Sequence, residues 1–277
     1  MLELNKIYCI DNIEGMVLLD DNSVDLTITS PPYDDMDENF NPIPKNGPRK
    51  YNGYLWDFKE IVHQLYRITK DGGVIVWVVN DPVIKGSESL ASSLQKIYFK
   101  KVGFNIHDTM IYEKNGSSFP SPRNGLRYTQ IFEYKFIFSK GTPKVHNLIA
   151  DKKNRWAGYS NFGNASHYNK DGDKIISGKH KVTPEFSVRN NIWRYNTGKG
   201  YSTKDEINHP AIFPEELATD HIFTWSNEGD LIFDPFMGSG TVAKMAKLNN
   251  RQYIGFEISE EYCNMANKRL EMINSDV

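Results

Sequence analysis

The run Val74-Ile-Val-Trp-Val-Val79 contains no polar residue, and Asp71-Gly-Gly stands ahead of it as a turn. A strand that is apolar at every position, rather than at every second one, suits burial on both faces, as in a parallel sheet covered by helices on each side. The flanking residues agree. Phe58, Ile61, Leu65 and Ile68 recur at helical spacing between Asp57 and about Thr69, with Asp57 placed as N-cap. Leu90, Leu94, Ile97 and Tyr98 mark a second amphipathic helix, and Gly103 sits where its C-cap belongs. The chain begins with a short strand at Ile7 to Ile10, a short helix at Ile13 to Leu19 and a strand at Val24 to Thr29. Ile106 to Tyr112 and Ile131 to Phe138 are β-rich. The end reads as strand Leu231 to Phe233, helix Val242 to Leu248, strand Gln252 to Phe256 and a helix from Glu260 to about Met272. The expected fold is α/β, a doubly wound, mostly parallel sheet whose ligands bind outside the carboxyl ends of the strands.

Between Lys140 and Asp205 the periodicity weakens and Gly, Asn, Ser and Lys accumulate. This stretch carries 13 Lys plus Arg against 5 Asp plus Glu, which leaves 20 basic and 30 acidic residues elsewhere. The net charge of -2 is therefore the cancellation of an acidic scaffold and a basic insert, and the insert suits a polyanionic partner. Three segments are expected: residues 1–139, an insert at 140–205, and residues 206–277. Residues Tyr33 to Gly53, with three prolines and two glycines, form a loop too long to be kept without a function. Cys9 and Cys263 are too few for a disulfide framework and lack C-x-x-C spacing, and His63, His107 and His146 stand alone, so no metal site is expected. With no apolar run beyond six residues and no signal-peptide pattern at the start, a soluble cytoplasmic protein without a membrane partner is expected.

Two short motifs carry chemistry. The first, Gly238-Ser-Gly240-Thr-Val-Ala243, lies between a strand and a helix, where glycines let a ligand approach the backbone and free the first helical amides. Glu257 ends the next strand and could accept from two ribose hydroxyls. Alone, the motif is ambiguous: it satisfies the loose nicotinamide dinucleotide fingerprint, with a tight turn that holds no ligand as the lesser alternative. Asp234-Pro235-Phe236 ahead of the glycines favours an ammonium over a pyrophosphate, and S-adenosylmethionine carries an ammonium, a ribose and no phosphate. The second motif is Thr29-Ser30-Pro31-Pro32-Tyr33. Its prolines fix carbonyls that have no local donor, and with the Ser30 hydroxyl and the Tyr33 ring they suit a planar ring bearing an exocyclic amine.

Together the two motifs resemble those of the S-adenosylmethionine-dependent DNA amino-methyltransferases of restriction-modification type, which methylate cytosine N4 or adenine N6. Catalytic motif first, variable region in the middle and cofactor motif last is similar to the β group. His209-Pro-Ala-Ile-Phe-Pro-Glu-Glu-Leu-Ala218 and Asn191-Ile-Trp193 resemble further segments of that group, whereas Lys140 to Asn190 matches no motif. The resemblance implies a Rossmann-like methyltransferase fold with an inserted target-recognition region. It implies that Ser30, Pro31, Pro32 and Tyr33 hold the target base, and that Asp234, Phe236, Gly238, Gly240 and Glu257 hold the cofactor. Phe213 and Pro214 would line its methionine end. Asp11 would match an acidic cofactor contact, although Ile10-Asp11 stands where the group has Gly-Asp. Ser at the head of the catalytic motif leans toward cytosine N4, with adenine N6 the alternative.

The implied partner is double-stranded DNA, with room for a cognate restriction endonuclease and a homodimer. Lys152, Lys153, Arg155, Lys179, Lys181, Arg189 and Arg194 can neutralise phosphates, with Trp156, Tyr159, Phe162 and Tyr168 interleaved for stacking. Arg49 and Lys50 would reach the DNA backbone from the long loop. From another class, an NAD-dependent oxidoreductase explains the glycine turn but leaves Ser30 to Tyr33 and the basic insert without a role. A non-catalytic DNA-binding module explains the insert but neither motif.

Overall fold

The computed structural model describes residues 2–43, 56–115, 127–160, 166–176, 182–196 and 213–275. Its main sheet is built from β1 (Lys6–Cys9), β2 (Val24–Thr29), β3 (Thr69–Val79), β4 (Asn105–Lys114), β5 (Phe132–Ser139), β6 (Ile192–Tyr195), β7 (Leu231–Asp234) and β8 (Gln252–Glu257). Their order across the sheet is β1-β8-β7-β2-β3-β5-β4-β6, with β5 alone antiparallel to its neighbours. The helices are α1 (Asn12–Val17), α2 (Phe58–Ile68), α3 (Ala91–Val102), α4 (Glu215–Trp225), α5 (Thr241–Leu248) and α6 (Glu260–Ser275). The doubly wound α/β expectation is thus met.

The apolar run Val74 to Val79 is buried throughout, with β2 on one edge and β5 on the other. The strand itself begins earlier, at Thr69, so Asp71-Gly-Gly lies within an irregular first part of β3 rather than ahead of it, and the pairing with β2 shifts register there. Helix α2 buries Phe58, Ile61, Val62, Leu65 and Ile68, and Asp57 caps it by accepting from the Glu60 amide at 3.1 Å. Each such buried side chain contributes about 1.5–3 kcal/mol. Helix α3 ends on Gly103 at φ 126°, and its Phe99 stacks on Phe138 of β5 with ring centroids 4.1 Å apart. Trp77 sits within this aromatic core and satisfies its indole N–H on Gln95 at 2.7 Å.

The chain divides into two units, Met1–Asn147 with Asn191–Val277, and Leu148–Asn190. The smaller one lies inside the 140–205 span expected for the insert. Residues beyond it at both ends serve the sheet unit: Ile192–Tyr195 pairs with β4, and the Lys140 ammonium donates to the Tyr66 and Thr69 carbonyls at 2.9 and 3.0 Å. The smaller unit contains two short antiparallel pairings, Lys152–Lys153 with Phe186–Ser187 and Ser166–Tyr168 with Lys174–Ile176. Among the described residues no helix is long and apolar enough to cross a membrane, and no group of His, Cys, Asp and Glu could hold a metal.

Candidate active site at the carboxyl edge of the sheet

Because β1, β8, β7 and β2 are consecutive and parallel, the residues that end them share one edge. Asp11 follows β1, Glu257 ends β8, Asp234 ends β7 and Ser30 follows β2. Two motifs some two hundred residues apart in sequence are thereby neighbours, and one hydrogen bond joins them: the Thr29 hydroxyl donates to Asp234 Oδ1 at 2.6 Å. The same oxygen accepts from the Phe236 amide at 2.9 Å. Burial pushes the Asp234 carboxyl up to about 7, with the Glu257 charge adding to the rise against these two hydrogen bonds.

Gly238 and Gly240 have φ of 53° and 79°, in the left-handed region that favours glycine. At Gly240 a Cβ would stand 2.7 Å from that of Ala266, so α6 lies directly against the turn. The Gly238 amide donates to Glu257 Oε2 at 2.8 Å and the Ser259 amide to Oε1 at 2.9 Å. Burial raises the Glu257 carboxyl, and these amides partly offset the rise. Each carboxylate oxygen has two lone pairs, so Glu257 retains acceptor capacity for hydroxyl groups. Neither Asp234 nor Glu257 has a cationic partner among the described residues. Two cation-free carboxylates around a glycine turn, Asp234 buried and Glu257 half-buried, oppose a pyrophosphate and fit a ligand with an ammonium and a ribose.

The turn is tied to α4 by charged groups on α4, α5 and α6. Buried Arg269 of α6 donates to the Ser239 carbonyl at 2.6 Å and to Glu215 Oε1 at 2.9 Å, and Lys244 of α5 reaches the same Glu215 oxygen at 2.9 Å. Glu215 opens α4 directly after Phe213 and Pro214, so this network anchors the half-buried Phe213-Pro214 pair to the glycine turn. Asp11 accepts from the Ile13 and Glu14 amides as the cap of α1, a structural task that accounts for its presence whether or not it also meets a ligand.

At the end of β2, Pro31 is buried and the Pro32 carbonyl accepts from the Asp34 amide at 3.0 Å. The corner is braced by Trp56, which donates to Asp34 at 3.2 Å and meets the Phe236 ring edge-on at 5.6 Å. Tyr33 places its hydroxyl 3.0 Å from Ser30 Oγ and donates to Glu133 Oε2 at 2.9 Å. Glu133 in turn pairs with Lys114 at 2.6 Å. Burial and the neighbouring Glu133 charge hold the Tyr33 phenol well above its ordinary range. Glu133 is near the start of β5 and Lys114 at the end of β4; only because β5 runs backward do both reach this edge.

The expected DNA contacts fall into three groups. Lys152, Lys153 and Arg155 are exposed or nearly so in the smaller unit, where Arg155 lies 5.3 Å from the ring of Trp156 and Trp156 meets Tyr159 edge-on at 5.6 Å. Arg189 pairs with Asp151, and Arg194 lies on β6 of the sheet unit and pairs with Glu113 at 2.6 Å, so each has a local counter-charge. Arg49, Lys50, Lys179, Lys181 and Phe162 lie outside the described residues. Of the single histidines, His63 hydrogen-bonds Tyr98 at 3.1 Å and His107 meets Trp225 edge-on.

Comparison with known proteins extends these observations. A family model described as DNA methylase, of the N6/N4 type, matches residues 24–268. The orphan methyltransferase M.BamHII of Bacillus amyloliquefaciens is 56% identical over 253 residues, covering 91% of this chain and 90% of the relative. Among solved structures, PvuII DNA methyltransferase, described as cytosine-N4-specific, aligns with a TM-score of 0.66 at 19% identity over 95% of this chain and 85% of its own. The M1.HpyAVI-SAM complex aligns with a TM-score of 0.59 at 21% identity over 95% of this chain and 98% of its own.

Proposed function

This chain belongs to the N6/N4 DNA methylase family, and from that premise we propose that it moves a methyl group from S-adenosylmethionine to cytosine N4 of a nucleotide flipped out of double-stranded DNA. The observation that carries the reading is the Thr29–Asp234 hydrogen bond, which sets a buried, cation-free carboxylate, with half-buried Glu257 near it, beside a Ser-Pro-Pro-Tyr corner. Asp234 receives the cofactor's ammonium and Glu257 its ribose hydroxyls, while Gly238 and Gly240 allow close approach beside Phe236. Phe213 and Pro214 border the methionine end, and Asp11 adds an acidic contact at the end of β1. When bound, S-adenosylmethionine supplies a methyl group already activated by a positive sulfur.

The chain's own task is orientation. Extruding the nucleotide costs a few kcal/mol, offset by stacking on Tyr33 worth about 1–3 kcal/mol and by hydrogen bonds in the pocket. Ser30 Oγ and the Pro31 carbonyl accept the two amine hydrogens, which draws the nitrogen lone pair out of ring conjugation. Holding that nitrogen in line, away from water, accounts for most of the rate enhancement. A serine hydroxyl is too weak a base to deprotonate the amine beforehand, so the proton departs during or after transfer.

Serine at the head of the motif supports cytosine N4 over adenine N6, and the name of the PvuII neighbour is in keeping with it. Lys152, Lys153 and Arg155 contribute phosphate contacts, with Trp156 and Tyr159 beside them, and Arg189 and Arg194 contribute less because Asp151 and Glu113 already neutralise them. The reading carries with it a cytoplasmic, restriction-modification setting. Differential scanning with S-adenosylhomocysteine and with NAD tests the cofactor: stabilisation by the first alone supports the reading, and stabilisation by NAD alone contradicts it.

A further inference from the structure

Resting on that reading, we propose that Glu133, acting through the Tyr33 hydroxyl, fixes the direction of the Ser30 O–H, so that the corner after β2 offers only acceptors and selects an amine over a keto oxygen. A phenol has a single hydrogen, and a carboxylate can only accept. Tyr33 donates that hydrogen to Glu133 Oε2 at 2.9 Å. Toward Ser30, 3.0 Å away, the phenol oxygen can then only accept, so Ser30 commits its own hydrogen to Tyr33. What Ser30 turns outward is lone pairs. The Pro31 carbonyl is an acceptor by nature, and among the described residues it has no donor. Two acceptors match the two hydrogens of an exocyclic amine. A keto oxygen in the same place sets acceptor against acceptor and leaves buried polar groups unpaired.

The latch is held at its far end. Lys114 sits 2.6 Å from Glu133 Oε1, and both side chains are largely buried, at 15% and 13% exposure, so the carboxylate cannot easily swing away. A serine without the latch rotates its hydroxyl to suit either partner. Glu133 is therefore a positioning residue that touches neither base nor cofactor, and its influence passes through one hydroxyl.

The test is a double-mutant cycle of Glu133→Gln, Tyr33→Phe and both together, on the duplex that the wild type methylates. Turnover is measured on that duplex. In parallel, binding in the presence of S-adenosylhomocysteine is compared with a duplex carrying the keto analogue of the target base, uracil for cytosine or hypoxanthine for adenine. Each single variant is expected to lose about tenfold to a hundredfold in kcat, with S-adenosylhomocysteine affinity retained. The double variant should be no worse than Tyr33→Phe, because Glu133 acts only through that hydroxyl. Both should also lose the wild type's preference for the amine duplex. Glu133→Gln with wild-type turnover and preference, or losses that multiply in the double variant, would overturn the proposal. Should Glu133→Gln fold poorly because Lys114 loses its carboxylate, Tyr33→Phe alone decides, since a kept amine preference there overturns the latch. A wild type that transfers no methyl to DNA instead overturns the functional reading beneath it.

Discussion

If Asp234 receives the cofactor's ammonium, cofactor affinity must depend on pH in a direction the structure fixes. Burial holds its carboxyl at about 7 in the free protein, against 3.8 for an ordinary aspartate. The free protein below pH 7 is thus mostly protonated at Asp234, and binding an ammonium requires that proton to leave. Affinity should fall about tenfold, or about 1.4 kcal/mol, for each pH unit below 7. Between pH 7 and pH 5.5 the dissociation constant for S-adenosylhomocysteine should rise about fifteenfold. The ligand's own α-amino group, with an ordinary value of about 7.7–8.0, stays charged through the acid limb and does not confound it. Isothermal titration calorimetry in buffers of different ionisation enthalpy should detect the release of about half a proton at pH 7. Asp234→Asn should bind weakly and lose the slope. The same raised carboxyl means that folding of the unliganded protein takes up a proton between pH 4 and 7, so its stability falls as pH rises through that window. A dissociation constant that is flat from pH 5.5 to 8 would refute the assignment of Asp234 to the ammonium.

Gly240→Ala should destabilise the protein by about 2–5 kcal/mol, combining a left-handed φ of 79° with a contact of 2.7 Å to Ala266, and denaturant titration reads this as a lower midpoint. Arg269→Met removes a buried cation that joins the Ser239 carbonyl to Glu215, and should cost about 3 kcal/mol of stability together with weaker S-adenosylhomocysteine binding by calorimetry. Salt titrations of DNA binding should show Lys153→Ala lowering the log–log slope by about one, and Arg194→Ala by less, since Glu113 already pairs with that guanidinium at 2.6 Å. Equal slope changes for the two would show that the Glu113 pair opens when DNA binds.

Both motifs and the alternation of strands and helices are legible in the sequence because each is a local pattern: an apolar run, a capped amphipathic helix, a glycine turn. The Val74 to Val79 run alone identifies a strand covered on both faces. Strand order is not local, and it is strand order that puts Asp234 beside Thr29. Glu133 and Lys114 had no sequence signal, being single charges on strands of alternating character, brought to the site because β5 runs opposite to its neighbours. Arg269 was equally silent, as charged residues in helices usually face water, and Glu215 lies in the His209 to Ala218 segment without any local pattern that gives its ion pairs. The basic stretch is visible in the distribution of charge along the chain, but a phosphate ligand and a structural ion are the same residue type there. Lys140 belongs to that surplus, yet it donates to carbonyls under α2. Arg189 and Arg194 belong to it as well, yet each has a carboxylate partner.

Methyl transfer to an exocyclic amine held by Ser30 and Pro31 is read out by incubating the protein with methyl-labelled S-adenosylmethionine and mixed-sequence duplex DNA, then digesting to nucleosides for mass spectrometry. The expected product is labelled N4-methylcytosine, abolished or nearly so by Ser30→Ala in a variant that still binds S-adenosylhomocysteine. Labelled N6-methyladenine would contradict the choice of base, and DNA without any labelled nucleoside would contradict the activity itself.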